Sequence, residues 1–146
     1  MQYGVSILRH LLTLLLLTTL LFASDIKTEQ KIYGVIIHAL LPDKDEIKVW
    51  SDTASKEALL ASLQGVKSVA SPKDADFVLL SKQKNISTDG IKFVTNFQLL
   101  ESEQKSVVGG FFWQKGRPNI LFLRDNLKKH NIELPLSMQE YVEDAL

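Results

Sequence analysis

Apolar residues recur at helical spacing in "DIKTEQKIYGVIIHALLP": Ile32, Val35, Ile36, Ala39 and Leu40 fall on one stripe. The spacing predicts a helix capped by Asp25 and ended by Pro42. Ile37 and Tyr33 widen the stripe, so the helix is expected to be well buried. Gly34 inside it costs about 1 kcal/mol relative to alanine, and a close helix-to-sheet contact would account for it. After the polar turn "DKDE", the segment "EIKVWSD" alternates, with Ile47 and Val49 on one face and Trp50 on the other, which predicts a strand. "SKEALLASLQ" predicts a short helix capped by Ser55, with Ala58, Leu59 and Leu63 inward and Gly65 as its stop. "VKSVAS" predicts a second strand. The continuous apolar run Phe77 to Leu80 predicts a third that is covered on both faces.

Beyond the loop "QKNISTDG", "IKFVTNF" alternates and predicts a fourth strand. "QLLESEQK" predicts a turn or a single helical turn. "SVVGGFFWQ" and "PNILFLRD" flank Lys115-Gly116 and predict a tight hairpin. Gly109-Gly110 inside a strand points to a bulge or a close backbone approach. "DNLKKHNIELP" predicts a short helix with Asp125 as cap and Leu127 inward. In the tail, Ser137 and Glu140 stand at capping-box spacing and predict a last helix with Met138, Tyr141, Val142 and Leu146 on its apolar face. The order of elements is that of an α/β domain with a mixed sheet of about six strands and flanking helices.

The first stretch breaks this pattern. "MQYGVSILRHLLTLLLLTTLLFAS" has one cation, Arg9, then an apolar run of about 13 residues from Leu11 to Ala23, short of the roughly 20 needed to span a bilayer. It fits a signal peptide over residues 1–24, with an uncleaved anchor as the competing reading and no cysteine for a lipid anchor. That leaves one domain over residues 25–146 and predicts export. The sequence contains no cysteine, so the fold must rest on its hydrophobic core, without disulfides or thiol chemistry. Without Arg9, sixteen cations face seventeen acids. This near-neutral balance gives no support to nucleic-acid binding or electrostatic membrane docking.

Candidate chemistry is sparse. No serine lies in a nucleophile elbow, and no glycine pattern cradles phosphate. His38 and His130 are not spaced as a metal pair. Asp43, Asp45 and Glu46 lack the further ligands and turn glycine of a calcium loop. Asp74 and Asp76 would need a cleft before they could do acid–base work. No catalytic, cofactor-binding or metal-ligating residue is assigned. An enzyme would instead require a pocket that joins two carboxylates, or a histidine and an acid. The hairpin offers the alternative. Trp and Arg are enriched in binding hot spots, and Trp113, Lys115 and Arg117 near its tip form a candidate contact patch for a partner protein.

With these elements laid out, the chain resembles the YfiR-like family of small periplasmic proteins, from about Lys31 to Leu134. The similarity lies in "IYGVIIHALLP", "EIKVWSD", "KEALLASLQ", "ADFVLLSK", "IKFVTNF", the Gly-rich "VVGGFFWQKGRPNILFL" and "NILFLRDNLKKHNIEL". Two departures stand out: family members often carry cysteines, and here Pro135 and an acidic tail replace a closing helix rich in Leu and Ala. The resemblance implies a non-enzymatic regulator that restrains an inner-membrane diguanylate cyclase by contact with its periplasmic part. A small-molecule binding module, with a pocket beside Trp50 or Trp113, is the alternative expectation.

Overall fold

The computed structural model describes residues 25–146, and the expected signal peptide lies outside the described residues. The first helix, α1, occupies residues 25–40. It is followed by β1 (Ile47–Ser51), α2 (Ala54–Ala61), β2 (Val66–Ser68), a 3-10 turn (Pro72–Asp74), β3 (Phe77–Leu80) and β4 (Ile91–Val94). Then come α3 (Phe97–Ser102), β5 (Gly109–Gln114), β6 (Arg117–Leu123), α4 (Arg124–Lys129), a second 3-10 segment (Leu136–Tyr141) and β7 (Val142–Glu143). Among the described residues all strands join one seven-stranded sheet in the order β2-β1-β3-β4-β5-β6-β7. Every pairing is parallel except the β5–β6 hairpin. The result is a single α/β domain, as expected, with one strand more than the pattern suggested.

The sheet has a core on each face. On the first, α1 contributes Tyr33, Ile36, Ile37 and Leu40, α2 contributes Leu60, and α4 contributes Leu127. These pack on Ile47, Val49, Phe77, Leu79, Ile91 and Phe93. On the second, Leu99 and Leu100 of α3 and Ala75 pack on Val78, Leu80 and Val94. Residues of β3 alternate between the two cores and all four are buried, which is the doubly covered strand its apolar run predicts. Trp50 packs into the second core, opposite Ile47 and Val49, as the alternation requires.

Several local expectations are corrected. Val35 is 56% exposed, so the buried stripe of α1 is the narrower Tyr33, Ile36, Ile37, Leu40 set. A Cβ on Gly34 would lie 3.9 Å from a methyl of Leu63, an ordinary contact with the end of the α2 segment rather than a tight approach to the sheet. Thr53, not Ser55, is the N-cap residue of α2. Leu60, not Ala58, is its buried anchor. Leu123 stands at the cap position of α4, with Asp125 in the first turn, where its charge suits the helix dipole.

The tail departs most. Residues Leu136–Tyr141 form a 3-10 segment entered through Pro135, without the capping box of Ser137 and Glu140. Val142 leaves it to pair with Phe122, and Glu143 pairs with Leu123. Met138 is buried as expected, whereas Tyr141 and Leu146 are 37% and 43% exposed.

Candidate functional site

The β5–β6 hairpin is built by its turn and its glycines. Lys115 and Gly116 have φ of 50° and 73°, the positive pair of a two-residue turn that matches strand twist. Gln114 pairs with Arg117, Trp113 with Pro118, Phe112 with Asn119 and Phe111 with Ile120. A Cβ on Gly109 would sit 2.2 Å from the Leu121 carbonyl oxygen, and one on Gly110 would sit 2.9 Å from Val94. The paired glycines therefore mark a close backbone approach. The side-chain alternation also slips by one residue here. Val107 belongs to the second core and Val108 to the first, so Val107 does not share a face with Gly109 and Phe111.

The three candidate contact residues do not form one patch. Cross-strand partners share a face of the sheet, so Arg117 shares its face with Gln114, Phe112 and Asn119. Trp113 shares the opposite face with Phe111 and Pro118. There Phe111 meets Tyr33 of α1 edge-on, with ring centroids 5.2 Å apart. The Trp113 indole N–H donates to Glu29 Oε1 at 3.0 Å. Glu29 also accepts from Lys56 at 2.5 Å, and the Lys56 ammonium lies 5.8 Å from the Tyr33 ring centroid. Burial, and then the Glu29 charge, push the Tyr33 phenol up, so it stays neutral. Trp113 is thus half-exposed but tied down. Lys115 and Arg117 instead line a recess of about 440 Å³ with Gln114 and Asn119.

Further hollows lie elsewhere among the described residues. A groove of about 530 Å³ runs between the start of α1 and α2, past Ile26, Glu29, Gln30 and Lys56. A cavity of about 460 Å³ opens at the other end of the sheet, where β3 and β4 begin. Leu40, Leu41, Ile91 and Ile132 give it apolar walls, and Asp43, Lys44, Asp76, Asp89, His130 and Glu133 reach its rim. It does bring a histidine and several acids into one cavity, a feature that spacing along the chain did not reveal.

Asp76 is the best-defined group of that cavity. One oxygen accepts the Lys48 backbone N–H at 2.9 Å and the other meets the Lys44 ammonium at 2.9 Å. Burial pushes its carboxyl up, but the Lys48 hydrogen bond and the Lys44 hydrogen bond and charge outweigh it and hold the carboxyl below its usual range. A carboxylate held ionised in this way is a weak base. Among the described residues no group of three or more His, Asp and Glu is arranged to hold a metal ion.

In sheets of this strand order, ligands bind beyond the strand carboxyl ends, between β1 and β3, where the chain reverses direction across the sheet. Here the chain after β3 is bound across that place. The Asp52 carboxylate, just past β1, accepts the backbone N–H groups of Ser81, Lys82 and Gln83 at 2.8, 2.7 and 2.7 Å. Thr95 donates to Ser81 Oγ at 2.9 Å, and Asn96 donates to the Ser81 carbonyl at 3.1 Å. No family model, no curated protein and no solved structure matches the chain.

Proposed function

We propose that the protein is a non-enzymatic periplasmic regulator. It binds an inner-membrane signalling protein, such as a diguanylate cyclase, and holds it in one signalling state. The observation that carries this reading is the β5–β6 hairpin, whose tip presents Lys115 and Arg117 at the surface, with Trp113 on the opposite face. The sequence resemblance to the YfiR-like family supports the choice of partner, and the apolar leader supports export. Regulation by such contact requires different affinity for the two states of the partner. The ionised, hydrogen-bonded Asp76 favours binding over proton transfer in the cavity that it lines with His130.

The test is recovery of partners from membranes solubilised from the native cell, using the C-terminally tagged chain. Specific recovery of an inner-membrane signalling protein is the expected result. A folded bait that recovers none overturns the reading.

A second reading, a small-molecule binding module, is favoured by the cavity walled by Leu40, Ile91 and Ile132. It sits away from both Trp50 and Trp113. A solute that occupies it raises the melting temperature in a ligand panel, whereas a regulator without a solute site responds only to its partner.

A further inference from the structure

The two faces of the hairpin are treated differently by the fold. The face with Phe111 and Trp113 is closed by α1 through Tyr33 and Glu29. The other face carries Phe112, Leu121, Asn119, Gln114 and Arg117. It is covered by α3 at its inner end, where Phe97 meets Phe112 edge-on with centroids 5.7 Å apart. Phe97 itself is 43% exposed, and Phe112, Asn119 and Leu121 are half-buried. The apolar strip Phe97–Phe112–Leu121 therefore reaches solvent and runs toward the tip. There the recess is lined by Lys115 and Arg117 with Gln114 and Asn119, two cations and no acid. Neither cation takes part in an ion pair among the described residues.

Resting on the regulator reading, we infer that this α3-side face, not the Trp113 face, receives the partner, and that the partner offers an acidic amphipathic segment. Its apolar side chains cover Phe97 and Phe112, and a carboxylate enters the recess at Arg117. Charge complementarity selects this occupant. A guanidinium takes a carboxylate through two parallel N–H bonds, and a basic segment would meet Lys115 and Arg117 with like charge. Trp113 is then a positioning residue. Its bond to Glu29 fixes the angle of the hairpin against α1 without touching the partner.

The test uses the purified, isotope-labelled chain and two synthetic peptides of equal length, one alternating leucine with glutamate and one alternating leucine with lysine. Backbone amide shifts are followed by NMR. The Leu–Glu peptide is expected to shift Phe97, Phe112, Gln114 and Asn119 saturably, and the Leu–Lys peptide to leave them unmoved. Arg117→Glu is expected to weaken the Leu–Glu response about tenfold, and a substitution at an exposed position of this kind leaves the fold intact. Phe97→Ser is expected to weaken it comparably. Equal response to both peptides, no saturable response, or shifts centred on Trp113 and α1 each overturn the inference. The membrane recovery experiment separates its failure from that of the regulator reading. If Arg117→Glu and Phe97→Ser baits still recover the partner, this face is wrong and the regulator stands. If the unaltered bait recovers nothing, the regulator reading falls as well.

Discussion

Single residues in this chain are constrained by what a neighbouring backbone allows. Gly34 and Gly109 show the two extremes. At Gly34 an added Cβ would rest 3.9 Å from Leu63, an ordinary contact, so Gly34→Ala should raise stability by about 0.5–1 kcal/mol through helix propensity. A higher urea midpoint with an unchanged slope is the expected reading; a lower midpoint would mean that α1 and α2 cannot accommodate a methyl group. Gly109 has no such room, because the Leu121 carbonyl lies within 2.2 Å of the same atom. From the sequence, a close contact accounts for either glycine, and only the packing separates the necessary one, Gly109, from the dispensable one, Gly34. Asn126 shows the reverse case. It reads as a polar position in the first turn of a short helix, yet it is buried, and its amide donates to the Gln104 and Val107 carbonyls at 2.7 and 2.6 Å. Pairing across roughly twenty residues leaves no periodic trace, so nothing in the local pattern marks it.

Elements were legible where burial imposes a period. The interior strand β3 has both faces in a core, so its apolar run marked its ends at Phe77 and Leu80. The hairpin was legible because Gly116 marks its turn, although the positive φ of Lys115 is not something a lysine announces. The tail was misread because its spacing fits a helix in isolation. The β6 backbone offers Val142 and Glu143 a partner, and that choice is made by a distant strand. The candidate contact patch was legible as residue types but not as a surface, since adjacent positions in a strand point to opposite sides. The start of loop 81–90 is a further case, held by a side chain from just past β1. Asp52 accepts from three successive N–H groups, and hydrogen bonds to a charged group contribute about 1.5–3 kcal/mol. Asp52→Ala should therefore speed amide exchange at Ser81, Lys82 and Gln83 by roughly tenfold to a hundredfold. Amides of β3 should stay protected. Equal acceleration along β3 would show that Asp52 supports the whole sheet rather than the loop.

On the scale of the molecule, the sheet ends and its charge balance decide how the domain behaves in solution. Its edges are blunted. β2 is three residues long, and β7 covers β6 only at Phe122 and Leu123. The Leu123 N–H points to Val108, at 2.8 Å. Along an antiparallel pair the direction alternates, so Pro118 is among the residues whose backbone faces the open edge. Proline has no N–H to offer there, a recognised guard against edge pairing. At the other end, Asp76 joins three parts of the chain. It accepts the N–H of Lys48 in β1, meets Lys44 before β1, and precedes β3, whose register begins with the Asp76 N–H donating to the Lys48 carbonyl at 2.8 Å. Its folded-state carboxyl is held below the unfolded value, which for aspartate is about 3.9. A depressed pKa means that the native state binds fewer protons than the unfolded chain. The stabilisation is therefore complete above the unfolded value and is lost as pH falls through the folded one. Urea midpoints of the unaltered chain and of Asp76→Asn should differ by a constant amount from about pH 7 to pH 5 and converge as pH drops below about 4. The amide keeps an acceptor for Lys48 but loses the charge that meets Lys44, so the converging part reports the ion pair and its desolvation alone. A difference that persists unchanged at pH 3 would assign the role of Asp76 to shape and hydrogen bonding. The cavity rim would then owe nothing to its charge.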